Sequence, residues 1–95
     1  MPAYVPVNVE ITDPEGFKEY SKAVGATVTA YGGRYLARGG LTQVVEGAWS
    51  PKRVVILEFS DIARIRAWYQ SPEYQPLIAI RQRTSNMELT IIDGT

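Results

Sequence analysis

Val54-Val55-Ile56-Leu57-Glu58-Phe59 decides the fold. Four apolar residues in succession leave neither face of the strand polar, which marks a strand inside a sheet rather than at its rim. Upstream, Ser50-Pro51 supplies a turn. Before it, Arg34 to Arg38 reads as another strand, bent or bulged at Gly39-Gly40 and resumed from Thr42 to Glu46. Further back, Ala3, Val5, Val7, Val9 and Ile11 alternate with Tyr4, Pro6, Asn8 and Glu10, the period of a half-buried strand. Pro6 has no amide donor, so it is expected near a strand end.

Between these strands lies a helix. Asp13 can cap it and Pro14 suits its first position. Phe17, Tyr20, Val24, Val28 and Tyr31 recur at helical spacing as one buried stripe, Gly25 is a weak spot, and Gly32-Gly33 stops the helix. Downstream, Asp61 caps a second helix bearing Ile62, Ile65, Trp68 and Tyr69. Ser71-Pro72 breaks it, and a short helix follows with Tyr74, Leu77, Ile78 and Arg81 on one face. Met87 to Ile92 forms the last strand. The order βαββαβ predicts an α+β, ferredoxin-like subunit over residues 1–95, an antiparallel sheet with its helices on one face. The expected core is Val5, Val7, Val9, Phe17, Tyr20, Val24, Val28, Val55, Leu57, Phe59, Ile65, Leu77, Leu89 and Ile91. Helices cover one face only, whereas Val54 and Ile56 leave the other apolar. A second copy of the chain is the economical cover, so a homodimer is expected.

With 95 residues, ten basic and ten acidic side chains and no net charge, the chain lacks the clustered positive charge that holds nucleic acid. No stretch nears the ~20 apolar residues that span a bilayer, and Met1-Pro2-Ala3-Tyr4 does not read as a secretory leader. The expectation is a cytoplasmic protein without a nucleic-acid or membrane partner. Histidine and cysteine are both absent. No serine has an imidazole to activate it, and a zinc or haem site is not expected; nor is any other cofactor. Neither glycine pair forms a phosphate-binding pattern.

The chain resembles the family catalogued as domain of unknown function 1330, from Tyr4 through Gly94. The resemblance rests on Val9-Glu10-Ile11-Thr12-Asp13-Pro14, on Tyr31-Gly32-Gly33-Arg34-Tyr35-Leu36-Ala37-Arg38-Gly39-Gly40 and on Glu46-Gly47. It continues through Val55-Ile56-Leu57-Glu58-Phe59, Tyr69-Gln70-Ser71-Pro72-Glu73-Tyr74-Gln75 and Arg81. Such proteins usually carry proline after the Phe59 position; Ser60-Asp61 here alters helix capping rather than chemistry. The resemblance implies a dimeric α+β barrel, two ferredoxin-like subunits joined sheet to sheet, and it implies no reaction.

Among side chains able to do chemistry, Arg81 stands out. A guanidinium on an apolar helix face must find a partner or reach the surface. It could anchor a ligand carboxylate with Tyr74 beside it; the plainer role is snorkelling or a structural ion pair. Glu58 is a weak candidate for a general base, and more plainly pairs with an arginine such as Arg38 or faces water. Counting back from the Ser50-Pro51 turn sets Thr42 opposite Glu58. Asn8, on a neighbouring strand, can point into the same space as Glu58. Trp49, beside the turn, suits a partner subunit, and Trp68 suits packing. Arg81, Tyr74, Asn8 and Arg38 are therefore the ligand-binding candidates. The functional expectation is binding of a small organic acid or aromatic metabolite, with any chemistry cofactor-free. The alternative is a non-catalytic ligand-binding or protein-interaction module.

Overall fold

The computed structural model describes residues 1–95. Its elements run β1 (Ala3–Ile11), α1 (Pro14–Ala30), β2 (Arg34–Arg38), β3 (Arg53–Phe59), α2 (Ile62–Tyr69), α3 (Gln75–Thr84), β4 (Ser85–Leu89) and β5 (Ile92–Asp93). The antiparallel sheet has the order β2-β3-β1-β4, with β5 also on β1. This is the ferredoxin-like arrangement.

The pleat of β1 sorts the molecule into two sides. Ala3, Val5, Val7 and Val9 are buried under the helices, whereas Tyr4, Pro6 and Asn8 are only half-buried on the outer face. Because Val5 pairs with Leu57 and Val7 with Val55, β3 inherits the same division. Leu57 and Phe59 join the core, while Val54 and Ile56 stay half-exposed outside. Trp68, Tyr74 and Phe59 are the largest fully buried side chains. Val55 and Leu89 are only half-buried and Ile91 is exposed, less than the alternation suggests; the clefts described below reach these positions.

The helix ends follow their sequences. Asp13 accepts a hydrogen bond from the Gly16 amide and Asp61 from that of Arg64, satisfying amides that lack intrahelical partners. At the other end of α1, Gly32 takes φ +78, its amide reaches the Thr29 carbonyl, and the Gly33 amide reaches that of Val28. Those two bonds make a Schellman stop, which needs a left-handed residue where Gly32 stands.

Three local expectations are corrected. Pro6 sits in the middle of β1, not near its end. Val7 pairs with Leu89 and Tyr4 with Ile92, so Pro6 faces Thr90, in the gap between β4 and β5. Thr90 donates to the Pro6 carbonyl, but Pro6 has no N–H to return the bond, and the last strand is thereby cut in two. The bend expected at Gly39-Gly40 is present, Gly39 taking φ +73 where β2 ends, and a bulge not read from the sequence comes before it at Leu36: Tyr35 pairs with Leu57 and Ala37 with Ile56, leaving Leu36 as the extra residue. Thr42 to Glu46 form no strand and are exposed. Arg34, not Thr42, lies opposite Glu58.

Leu57 is 3% exposed at the centre of this core. Leu57→Ala is expected to destabilise the protein by about 2–5 kcal/mol through the cavity it leaves, measured by urea unfolding.

Candidate functional site

α3 places Tyr74, Leu77 and Arg81 inward, as their spacing requires. Their roles differ. Tyr74 is fully buried behind the helices, its hydroxyl 2.8 Å from that of Tyr20 and its ring 4.4 Å from Trp68 between centroids. It lines none of the clefts described below, a correction to the expected pairing with Arg81 at a pocket wall. Trp68 donates its indole N–H to Thr27 at 3.0 Å, which makes it a packing residue with its polar atom satisfied.

Arg81 is 6% exposed. Its Nη2 donates to the Tyr69 hydroxyl at 3.2 Å, and its Nε is buried without any acceptor. The ion pairs of the molecule are Lys18–Glu15 and Arg34–Glu58, so no carboxylate lies within 4 Å of Arg81. A buried cation ordinarily keeps an anionic partner, because desolvation costs several kcal/mol. The negative end of α3, where Arg81 lies in the last turn, is a partial substitute.

Arg81 borders two open clefts. One, of about 370 Å³, lies on the helix side and is walled by Val5, Ile65, Trp68, Tyr69, Met87, Leu89 and Ile91, with Arg66 beside Arg81. The other, of about 540 Å³, is polar and includes Asn8, Glu10, Lys52, Asn86 and Glu88. Asn8 and Arg81 therefore share a groove, although Asn8 is already engaged: it accepts from the Lys52 amide at 3.0 Å and donates to Glu88 at 3.4 Å.

Glu58 stands elsewhere. It pairs with Tyr4 while Asn8 pairs with Val54, so the two share the outer face but are four residues apart along β1. Its carboxylate accepts from Arg34 Nε at 2.7 Å, not from Arg38, because Arg34 is directly opposite. Arg38 turns to the helix side, over the Tyr35 ring at 4.2 Å. With Arg53, it borders a narrow apolar cleft beneath α1. Trp49 is exposed and borders a shallow outer-face groove with Pro6, Asn8 and Val54. Sequence reasoning missed Arg53 and Arg66, and reads the Tyr69 phenol as core packing, whereas its hydroxyl accepts from Arg81. Arg53 was within reach, since it precedes Val55 by two and must share its face.

The phenols of Tyr20, Tyr35 and Tyr74 are moved away from neutrality. Burial pushes Tyr20 far above the ordinary tyrosine range, and Tyr74 beside it adds to the rise. Burial raises Tyr74 too, against the opposing effects of its Tyr20 hydrogen bond and of Arg81, and burial raises Tyr35. No three acidic side chains converge as a metal-binding group.

The family described as Domain of unknown function (DUF1330) matches residues 2–95. No curated protein matches the sequence. Among solved structures, a protein of unknown function from Rhodopseudomonas palustris superposes with a TM-score of 0.79 at 17% identity, over 99% of this chain and 82% of that one. A dimeric ferredoxin-like protein of unknown function from Jannaschia sp. CCS1 gives 0.72 at 13%, over 99% and 100%. A cofactor-independent oxygenase from Streptomyces nogalater, SnoaB, gives 0.68 at 11%, over 99% and 93%. The fold is thus that of dimeric α+β barrel proteins. No helix is long and apolar enough to cross a membrane.

Tyr20 and Tyr74 link the buried phenols to stability. Their folded pKa values lie above the ordinary value of about 10, so the unfolded chain releases these protons first as pH rises. Their contribution is complete below about pH 10 and is lost above it. Alkaline melting should therefore be steep, with tyrosinate absorbance from these two residues appearing only at unfolding, and Tyr20→Phe should make the pH dependence shallower.

Proposed function

The chain belongs to the DUF1330 family, and on that premise we propose that it binds a small, largely apolar organic acid, an aromatic one included, with Arg81 as the carboxylate anchor. One observation carries this reading: Arg81 is buried with no carboxylate partner and an unpaired Nε, beside an apolar cleft of ligand size. A guanidinium suits a carboxylate in two-pronged contact, and Ile65, Leu89 and Ile91 would take the apolar body. The neighbouring polar groove suits an anion less well, because Glu10 and Glu88 repel one there. Any chemistry would be cofactor-free. The likeness to SnoaB supports that by fold alone, and the raised phenols favour binding without acid–base turnover.

The same reading includes a homodimer closed through the outer sheet face. Val54 and Ile56 are half-exposed there, Trp49 lies beside them, and the Jannaschia protein of this fold is dimeric. A second reading, a protein-interaction module, draws on the exposed Leu41 and Val45 of the segment between β2 and β3. An apolar side chain left wet on the dimer would favour it, and observed turnover would end it.

Thermal melting with sodium benzoate, against sodium chloride at equal ionic strength, tests the ligand reading. Saturating benzoate should stabilise the wild type by about 2.7 kcal/mol at a hundredfold excess over Kd. Arg81→Met should melt no lower than wild type in chloride, since it removes an unpaired buried charge, and should lose the benzoate effect. An equal benzoate effect in both proteins would refute the anchor. Light scattering should give the mass of two chains at micromolar concentration, and Ile56→Lys should reduce it to one.

A further inference from the structure

The cleft beneath α1 carries an inference independent of Arg81. Val7, Val24, Leu57 and Met87 are among its walls, and eleven of its fourteen lining residues are hydrophobic. Arg38 and Arg53 also border it. Arg38 pairs with Val55, and Arg53 precedes Val55 by two on the same face, so both project to the side of the sheet that the cleft opens on. Neither has a carboxylate within 4 Å.

Their remaining contacts leave capacity for an anion. Arg38 rests over the Tyr35 ring and reaches the Ser21 carbonyl only at 3.5 Å. Arg53 Nε is buried and has no acceptor. Arg53 packs against the backbone of Gly39, which takes φ +73 and donates to the Val54 carbonyl at 2.9 Å; a β-carbon at 39 would stand 2.9 Å from Arg53 Cζ and push the guanidinium aside. Arg38 is exposed and Arg53 half-buried, and a buried N–H without an acceptor, such as Arg53 Nε, is costly until one is supplied.

We propose that this cleft is a second binding site, for a short aliphatic carboxylate. The carboxylate lies between Arg38 and Arg53, and the alkyl tail enters the apolar slot. Size sets the class: the space is about 50 Å³ against about 370 Å³ for the cleft at Arg81, which favours a short alkyl tail over a ring. Aromatic acids belong to the wider cleft at Arg81.

Isothermal titration of the full chain with sodium salts from acetate to octanoate, at constant ionic strength, tests this. Affinity should peak at butyrate or pentanoate. It should fall at least about tenfold in Arg53→Gln and in Arg38→Gln, the loss of one charge-assisted hydrogen bond. The peak at butyrate or pentanoate should persist in Arg81→Met, which separates this site from the other. Methyl NMR on the wild type needs no variant: Val24, Val55 and Leu57 should shift with butyrate. No binding, equal affinity in Arg53→Gln, loss of that peak in Arg81→Met, or shifts confined to Ile65 and Ile91 would each overturn the proposal.

Discussion

The pleat of β1 is the constraint from which the rest follows. β1 is held on one side by β3 and on the other by β4 and β5, so its two faces cannot be exchanged without breaking both ladders. One-residue slippage would send Val5, Val7 and Val9 outward and Tyr4, Pro6 and Asn8 into the core. Burial of the three valines opposes that by several kcal/mol in sum. With the register secured, the helices have one face to cover, the outer face of Val54 and Ile56 is left without a cover from the helices, and every side chain on β3 has an assigned side.

Much of this was legible in the sequence because it is periodic. Alternation over Ala3–Ile11, the Asp13 and Asp61 caps, the glycine stop and the apolar Val54–Leu57 run each state a local rule that the fold obeys. The failures were non-periodic. A bulge at Leu36 carries no residue signature as strong as paired glycines, so it goes unmarked in the sequence while the bend at Gly39-Gly40 does not. The consequence propagates: without the extra residue Tyr35 and Arg38 would face opposite sides, and with it they stack on the same one. Glu58 pairs with Arg34 for the same kind of reason, since register depends on the length of the irregular segment between β2 and β3.

The site was legible in half. Helical spacing alone puts Arg81 inward, and the structure adds what spacing cannot express, that no acid meets it. Tyr74 shares that face but lies deeper, where its hydroxyl serves Tyr20. Arg53 goes unread because its surroundings come from residues distant in sequence, and the tie of the Tyr69 hydroxyl to Arg81 spans twelve residues and a helix break that spacing does not express. In a chain without histidine or cysteine, unpaired guanidiniums are the remaining groups with strong, directional affinity for a ligand.

Pro6 has a further effect, on what the molecule avoids. The last strand lies at the rim of the sheet, where unpaired backbone groups can recruit another chain edge to edge. Uninterrupted from Ser85 to Asp93, that rim would be a flat template for open-ended stacking of sheets. The ring of Pro6, one strand inward, withholds the bond that would keep Thr90 in line, and the rim is divided into a five-residue and a two-residue piece. A single imino acid in the interior thus acts as a guard against fibrillar growth at a border it does not itself occupy.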